Sequence, residues 1–470
     1  MAKKKGQAGR SPADRVVAAA EAADLALVRF LYVDHGGVVR GKAVSRARLA
    51  ERMAAGIGLT VAMQAMSVLD ELQPVDGMGP VGEVRLVPDP ATFAVLPYAP
   101  GAGAMTADLV RLDGRPWEAC PRSFLKQAVA TLASEGFALV AAFEPEFTLG
   151  RREPDPDGGG DRLVPVDESL CFSTTGFGAA HDYAVELVRA LEAQGLEVEQ
   201  YYPELGHGQQ ELTIRHAPAL RAADNQVAYR ETVRGVAWRQ GLWATLAPKP
   251  LPDQAGNGAH LHLSLWEADA DGQPGGRNVL YDPDDRYGIS ALGYHFVAGI
   301  LAHLPALLAL TCASVNSYRR LVPQSWASAF TCYGPDNREA AVRIPSRLRG
   351  ADEASCNLEL KPSDATGNPY LALGAVIHAG LDGIRNKLDP GKPVEVDPAA
   401  MSTSTRRRRG IQRLPDSLPA ALDALERDDL LMAALGPARA AAYLAVKRSE
   451  AAAFAASDAD FECRQHLLKF

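Results

Sequence analysis

Four stretches of this chain place ionisable side chains on alternate positions between apolar ones, and that pattern restricts the fold more than any other feature. In FALVAAFEPEFTL, Glu144 and Glu146 lie two apart. On a strand they share a face, while Phe143, Pro145 and Phe147 take the other. YYPELGHGQQELTI sets Glu204 before and Glu211 after a Gly206–Gly208 turn, which predicts a hairpin with the two carboxylates across from each other. In GNGAHLHLSLW, His260, His262 and Ser264 alternate with Leu261, Leu263 and Leu265. In NLELKPSDATGNPYLAL, Glu359 and Lys361 share a face between leucines. Taken singly, each stretch also fits a plain polar strand or hairpin. Together they put five carboxylates and a histidine on alternate positions of one sheet. Like charges that close repel unless a cation lies between them.

Carboxylate oxygen and imidazole nitrogen are ligands for Mg²⁺ or Mn²⁺, and the pattern predicts two or more ions per site. No thiolates accompany them, which disfavours zinc. Arg320, Arg338 and Arg343, in NSYRRLVP and GPDNREAAVRIP, supply guanidinium groups of the kind that clamp anions. Two metals and arginines together imply phosphoryl transfer from a nucleotide. Neither a GxxxxGK[ST] segment nor a kinase loop set is present.

The remaining features bound the class. Lys+Arg 49 against Asp+Glu 57 leaves a net charge of −8, so no basic field favours nucleic acid. The six cysteines include no CxxC pair and read as reduced, mostly buried thiols of a cytoplasmic protein. The most apolar window, Gly299 to Val315, contains His303 and Pro305. It falls short of the roughly 20 apolar residues a membrane span needs and predicts a buried helix. Residues 1–21 read as a basic disordered tail and residues 22–112 as a small α+β unit. Within that unit a hairpin, Val28–Asp34 and Val38–Val44, turns at Gly36 and Gly37. Residues 113–470 read as one large α+β domain on a mostly antiparallel sheet, with helices near 121–135, 180–194, 222–241 and 290–313. The basic run STSTRRRRG (402–410) reads as a solvated loop, or as a contact for phosphate or another subunit.

On FEPEF, the PE…GQxE hairpin, APKP, GNGAHLH, NSYRRLVP, DNREAAVRIP and ELKPSDATGNPYLAL, the chain resembles the bacterial-type glutamine synthetase family from about residue 25 to its end. The resemblance implies an N-terminal β-grasp domain and a C-terminal catalytic domain with a curved antiparallel sheet. It implies homo-oligomers of two stacked hexameric rings, a dodecamer, with each site between neighbouring subunits. By position, Glu146, Glu204 and Glu211 resemble the ligands of one metal, and Glu144, His260 and Glu359 those of the metal that bridges nucleotide phosphates. His262, Ser264 and Arg343 resemble ATP-binding positions, and Arg338 the group that steadies the transferred phosphate. Arg320, Lys361 and Gly256 resemble glutamate-binding positions, Gly256 through its carbonyl. Asp34, in YVDHGG, resembles an aspartate offered to the neighbouring subunit's ammonium. The implied chemistry is ATP-dependent: glutamate becomes a γ-glutamyl phosphate, which an amine attacks.

The sequence departs from the family at the acceptor. The segment reads NSYRRLVPQSWAS, so Trp326 stands where the family has a flap glutamate. An indole accepts no proton, but it packs against alkyl chains and faces organic cations. Lys361 stands where the family has an arginine and loses the bidentate fork. Asn357 replaces an arginine near the nucleotide, and Ala255 replaces an asparagine. These departures point to an organic primary amine such as methylamine, ethanolamine or a polyamine in place of ammonia. Ordinary glutamine synthetase, a catalytically inactive structural relative and a guanidino-phosphotransferase stay open as alternatives.

Overall fold

The computed structural model describes residues 11–154 and 161–470. Two sheets organise the chain. The first runs Val39–Ser45, Leu27–Val33, Ala102–Val110, Glu83–Pro88, Ile57–Thr60, with Ala94–Val95 also pairing with Ala102–Val110. Leu27–Val33 lies parallel to Ala102–Val110 and antiparallel to Val39–Ser45. This is the mixed β-grasp arrangement. Gly37 in the hairpin turn has φ 90°, and a Cβ there would lie 2.0 Å from the Thr366 carbonyl oxygen, so only glycine fits.

The tail is shorter than the sequence reading has it. Residues 1–10 lie outside the described residues, but Pro12–Ala22 is a helix. Ser11 and Asp14 form a capping box at its start, with proline in its first turn. Val16 and Ala20 are buried against Phe30, Leu49 and Met53, so apolar burial overrides the polar composition of the surrounding segment. The basic run is likewise not a loop throughout. Ser402 caps a short helix, Thr403–Arg408, and Arg406 lies over the Phe330 ring while bonding the carbonyls of Pro398 and Met401.

The second sheet runs Tyr333–Pro335, Val342–Ile344, Leu358–Leu360, Ala259–Ala268, Phe137–Pro154, Gln209–Ile214, Val198–Pro203. Every adjacent pair is antiparallel except the first. The strand Phe137–Pro154 is its spine and also pairs with Asp161–Pro165 and Trp243–Thr245. Behind the sheet pack Pro121–Ser134, Ala219–Arg239, Ala291–Thr311 and Pro369–Asn386. Ala291–Thr311 is long and apolar enough to cross a membrane by length and composition alone. Here Phe296, Ile300, Leu304 and Leu307 are buried in the main core.

That helix meets Pro369–Asn386 through glycines. A Cβ on Gly299 would sit 2.1 Å from the Ala379 carbonyl oxygen, and one on Gly383 2.0 Å from that of His295. The neighbours are backbone and cannot rotate away. Gly383→Ala is therefore expected to destabilise the protein by about 1–3 kcal/mol, the usual cost of overpacking. A urea midpoint indistinguishable from the parent's would refute this.

Candidate active site

Strand register assembles the site. Directly opposed residues on neighbouring antiparallel strands share a face. Glu144 stands opposite His260 and Glu146 opposite Glu211. His262 stands opposite Glu359, and Glu359 opposite Arg343. The alternation read from sequence thus becomes one polar patch on the sheet face.

At its centre the ligand atoms of Glu144, His260 and Glu359 all lie within 4.8 Å of one another. His260 Nδ1 is 3.3 Å from Glu144 and 3.2 Å from Glu359. His262 Nε2 is 3.3 Å from the same Glu144 oxygen, and its Nδ1 faces Asn357 at 2.9 Å. Glu359, 1% exposed, also accepts from Arg343 at 2.8 Å and Lys361 at 3.2 Å. Burial would push Glu144 up, but the two imidazoles outweigh it and hold the carboxyl below its usual range. Burial would lower His262, but Glu144 outweighs it and pushes the imidazole up to about 9. Two carboxylates and an imidazole without thiolate are a donor set that fits Mg²⁺ or Mn²⁺.

The other three carboxylates do not converge in this way. Among the described residues the one cluster that brings three such ligand atoms together is Glu144, His260 and Glu359. Glu146 accepts from Gln209 Nε2 at 2.7 Å and from the Gly258 amide at 2.8 Å. Glu211, buried, accepts from the Tyr202 hydroxyl. Glu204 accepts from the Leu205 amide at 2.9 Å. Burial and then the charge of Glu144 and Glu146 raise Glu211, while burial and then Glu146 raise Glu204. Crowded carboxylates raised by one another are what a cation would relieve.

The remaining predicted residues have partners of their own or stand exposed. Arg320 is buried and donates to the Ser363 carbonyl at 2.8 Å, leaving its Nε without a partner. Gly256 packs on its stem, 3.1 Å from Cγ for an added Cβ, and the Gly256 carbonyl accepts from Gln209 at 3.0 Å. Ser264 accepts from Trp266 Nε1 at 2.9 Å. Arg338 is exposed, and among the described residues it makes no hydrogen bond or ion pair. Trp326 is 63% exposed, on a flap after Arg320.

Asp34 lies in the turn between Leu27–Val33 and Val39–Ser45. Its side chain is fully buried and pairs with Arg40 at 2.5 Å, while the Val38 amide donates to it at 2.9 Å. Within the single chain the carboxylate is enclosed and paired with Arg40. The turn that carries it is pinned by Lys447 on the Gly36 carbonyl and Arg230 on that of Gly37.

Sequence reading missed Tyr202, Gln209 and Glu339. Tyr202 faces Glu211 by register, which no local pattern reveals. Gln209 lies in the GQxE hairpin, where its spacing from Glu211 is a usable signal. Glu339 follows Arg338 directly and carries none.

Comparison with known proteins gives the family. The glutamine synthetase catalytic domain family matches residues 118–466, and the glutamine synthetase N-terminal domain family matches residues 12–117. The chain is 38% identical to the gamma-glutamylpolyamine synthetase GlnA3 of Streptomyces coelicolor, over 91% of this chain and 90% of that protein. It is 36% identical to the glutamine synthetase of Halobacterium salinarum, over 83% of this chain and 84% of that one. A solved structure of a novel glutamine synthase homolog superposes with a TM-score of 0.83 at 38% identity, covering 95% of this chain and 99% of the other. An ADP complex of GmaS gives 0.81 at 30% identity, over 96% and 98%. The chain belongs to the glutamine synthetase family and is an ATP-dependent carbon–nitrogen ligase.

Proposed function

We propose that the enzyme joins an organic primary amine to the γ-carboxylate of glutamate through a γ-glutamyl phosphate. The observation that carries this reading is Trp326, an exposed indole on the flap where the family resemblance puts a carboxylate. An exposed indole offers an apolar wall and a cation-binding face to an alkylammonium, and nothing to bare ammonium beyond that face. The relative GlnA3, described as a gamma-glutamylpolyamine synthetase, supports trying polyamines first.

In this reading Glu144, His260 and Glu359 would hold one divalent ion, and Glu146, Glu204 and Glu211, which do not converge in the chain alone, would close on a second. Bound Mg²⁺ or Mn²⁺ supplies Lewis acidity toward phosphate oxygens and offsets the carboxylate charge. His262, Ser264 and Arg343 border the nucleotide. Arg338, exposed and without a hydrogen-bond or ion-pair partner among the described residues, would meet the phosphoryl group in transit. Arg320, Lys361 and the Gly256 carbonyl orient glutamate. Its γ-carboxylate oxygen attacks the terminal phosphorus of ATP and ADP leaves. The amine nitrogen, its ammonium proton given to water, then forms the C–N bond at the acyl carbon as the C–O bond to phosphate breaks, and its surplus proton leaves with the phosphate. We further propose a cytoplasmic enzyme assembled as two stacked hexameric rings, which light scattering of the purified protein would test.

The decisive assay is phosphate release from Mg-ATP and glutamate with a panel of ammonia, methylamine, ethanolamine and a polyamine. At least one organic amine should exceed ammonia in kcat/KM by about tenfold or more, a difference of 1.4 kcal/mol. Ammonia turned over as well as every organic amine would favour the ordinary glutamine synthetase reading, which the Halobacterium salinarum relative supports. Trp326→Glu should move the preference toward ammonia; an unchanged amine profile would reduce Trp326 to a loop anchor.

A further inference from the structure

The flap that carries Trp326 is held in a backbone conformation it would not adopt alone. Gln324, Trp326 and Ser328 have φ of 61°, 61° and 68°, the left-handed region that non-glycine residues disfavour. Such a backbone persists only when its surroundings over-determine it. Alternation of this kind turns successive amides toward one side and forms a concavity suited to an anion. Here the anion comes from the chain itself. Glu339 accepts from the Trp326 amide at 2.7 Å through one carboxylate oxygen and from the Gln324 amide at 3.2 Å through the other. Among the described residues Glu339 forms no ion pair. This half-buried carboxylate, with no cationic partner among the described residues, therefore commits both oxygens to two amides of the flap.

The flap is also fastened beside these bonds. Ser328 Oγ donates to the Ala340 carbonyl at 2.7 Å, and Gln324 Nε2 donates to Asp397 at 3.0 Å. Glu339 and Ala340 directly follow Arg338. Asn337 Oδ1 accepts from the Glu339 amide at 3.0 Å, and Asn337 Nδ2 donates to the Val394 carbonyl at 2.8 Å. The segment that presents the free guanidinium is thus the same segment that grips the flap.

We propose that Glu339 is a positioning residue for the amine acceptor. Its carboxylate fixes where the Trp326 indole stands relative to Arg338, and so governs affinity for the amine. This rests on the reading that Trp326 faces the acceptor. Glutamine at 339 retains one acceptor oxygen and so holds at most one of the two amides; alanine holds neither.

The test compares Glu339→Ala, Glu339→Gln and Trp326→Ala with the parent, as full-length enzymes, for KM of amine, glutamate and ATP, thermal midpoint, and amide hydrogen exchange across residues 320–330. Misplacing a binding group by about 1 Å costs up to about 100-fold. Glu339→Ala should raise amine KM by about tenfold, with ATP and glutamate KM within about twofold and the thermal midpoint unmoved. Flap exchange should quicken, and Glu339→Gln should fall between. An unchanged amine KM and unchanged flap exchange in Glu339→Ala, while Trp326→Ala alters the amine profile, overturns the role of Glu339 alone. A parallel rise in all three KM values, or a fall in thermal midpoint with amine KM unmoved, assigns Glu339 a merely structural role and likewise overturns it. An amine profile indifferent to Trp326→Ala overturns the acceptor reading and this inference with it.

Discussion

Glu144→Gln is expected to lower turnover by about 10²–10³-fold, the scale on which enzymes respond to loss of one preorganised electrostatic group. The substitution keeps shape and removes charge. Glu144 contacts both imidazoles, His260 and His262, at 3.3 Å, and it supplies one of the three converging ligand atoms. An amide is a poorer ligand for a hard cation than a carboxylate. It also withdraws the charge that keeps His262 raised and that helps to raise Glu211. The folded protein should tolerate the change, because one of several crowded carboxylates is neutralised. Phosphate release at increasing Mg²⁺ or Mn²⁺ checks the prediction, with thermal midpoint as control. Full activity at saturating metal would remove Glu144 from the ligand set.

Arg122→Ala should instead strike stability, by about 3–5 kcal/mol, the usual cost of deleting one partner of a buried charge pair. Arg122, 2% exposed, joins the two parts of the fold. It grips Asp224 with two bonds, at 2.9 and 2.8 Å, from within the catalytic unit. It reaches Asp108 on the first sheet at 3.0 Å and Asp89, just past the sheet strand Glu83–Pro88, at 2.8 Å. Tyr370 also donates to Asp224 at 2.7 Å. Removing the guanidinium leaves three carboxylates facing one another. Burial would raise Asp89, but Arg122 outweighs it and holds the carboxyl below its usual range. A depressed folded pKa contributes stability that is present above the unfolded value and lost as pH falls through the folded one. The gap between parent and variant should therefore narrow on acidification. A denaturation midpoint that moves by less than about 1 kcal/mol equivalent near neutral pH would show that the network is replaceable.

The same hub shows why part of the molecule was unreadable beforehand. Arg122 sits at the start of a helix whose apolar spacing and N-terminal proline are plain in the sequence. Its three acidic partners lie 14, 33 and 102 residues away, and no local rule pairs them. Asp34 is the opposite lesson. Its partner Arg40 is only six residues on, across the same hairpin, and within reach of a local reading.

Period-two alternation is a property of the backbone, so residues sharing a strand face were determined by sequence alone: Glu144 with Glu146, His260 with His262 and Ser264, Glu359 with Lys361. Helix positions follow from apolar spacing and capping for the same local reason, the Ser11–Asp14 capping box among them. Which strand lies beside which, and in what register, is a choice among long-range pairings settled by packing both faces of the sheet at once. Only the tertiary structure set Glu144 against His260 and Glu359 against His262 and Arg343. It alone folded Glu339 under the Trp326 flap, because a carboxylate's partners are the amides that packing brings to it and not those nearest in the chain.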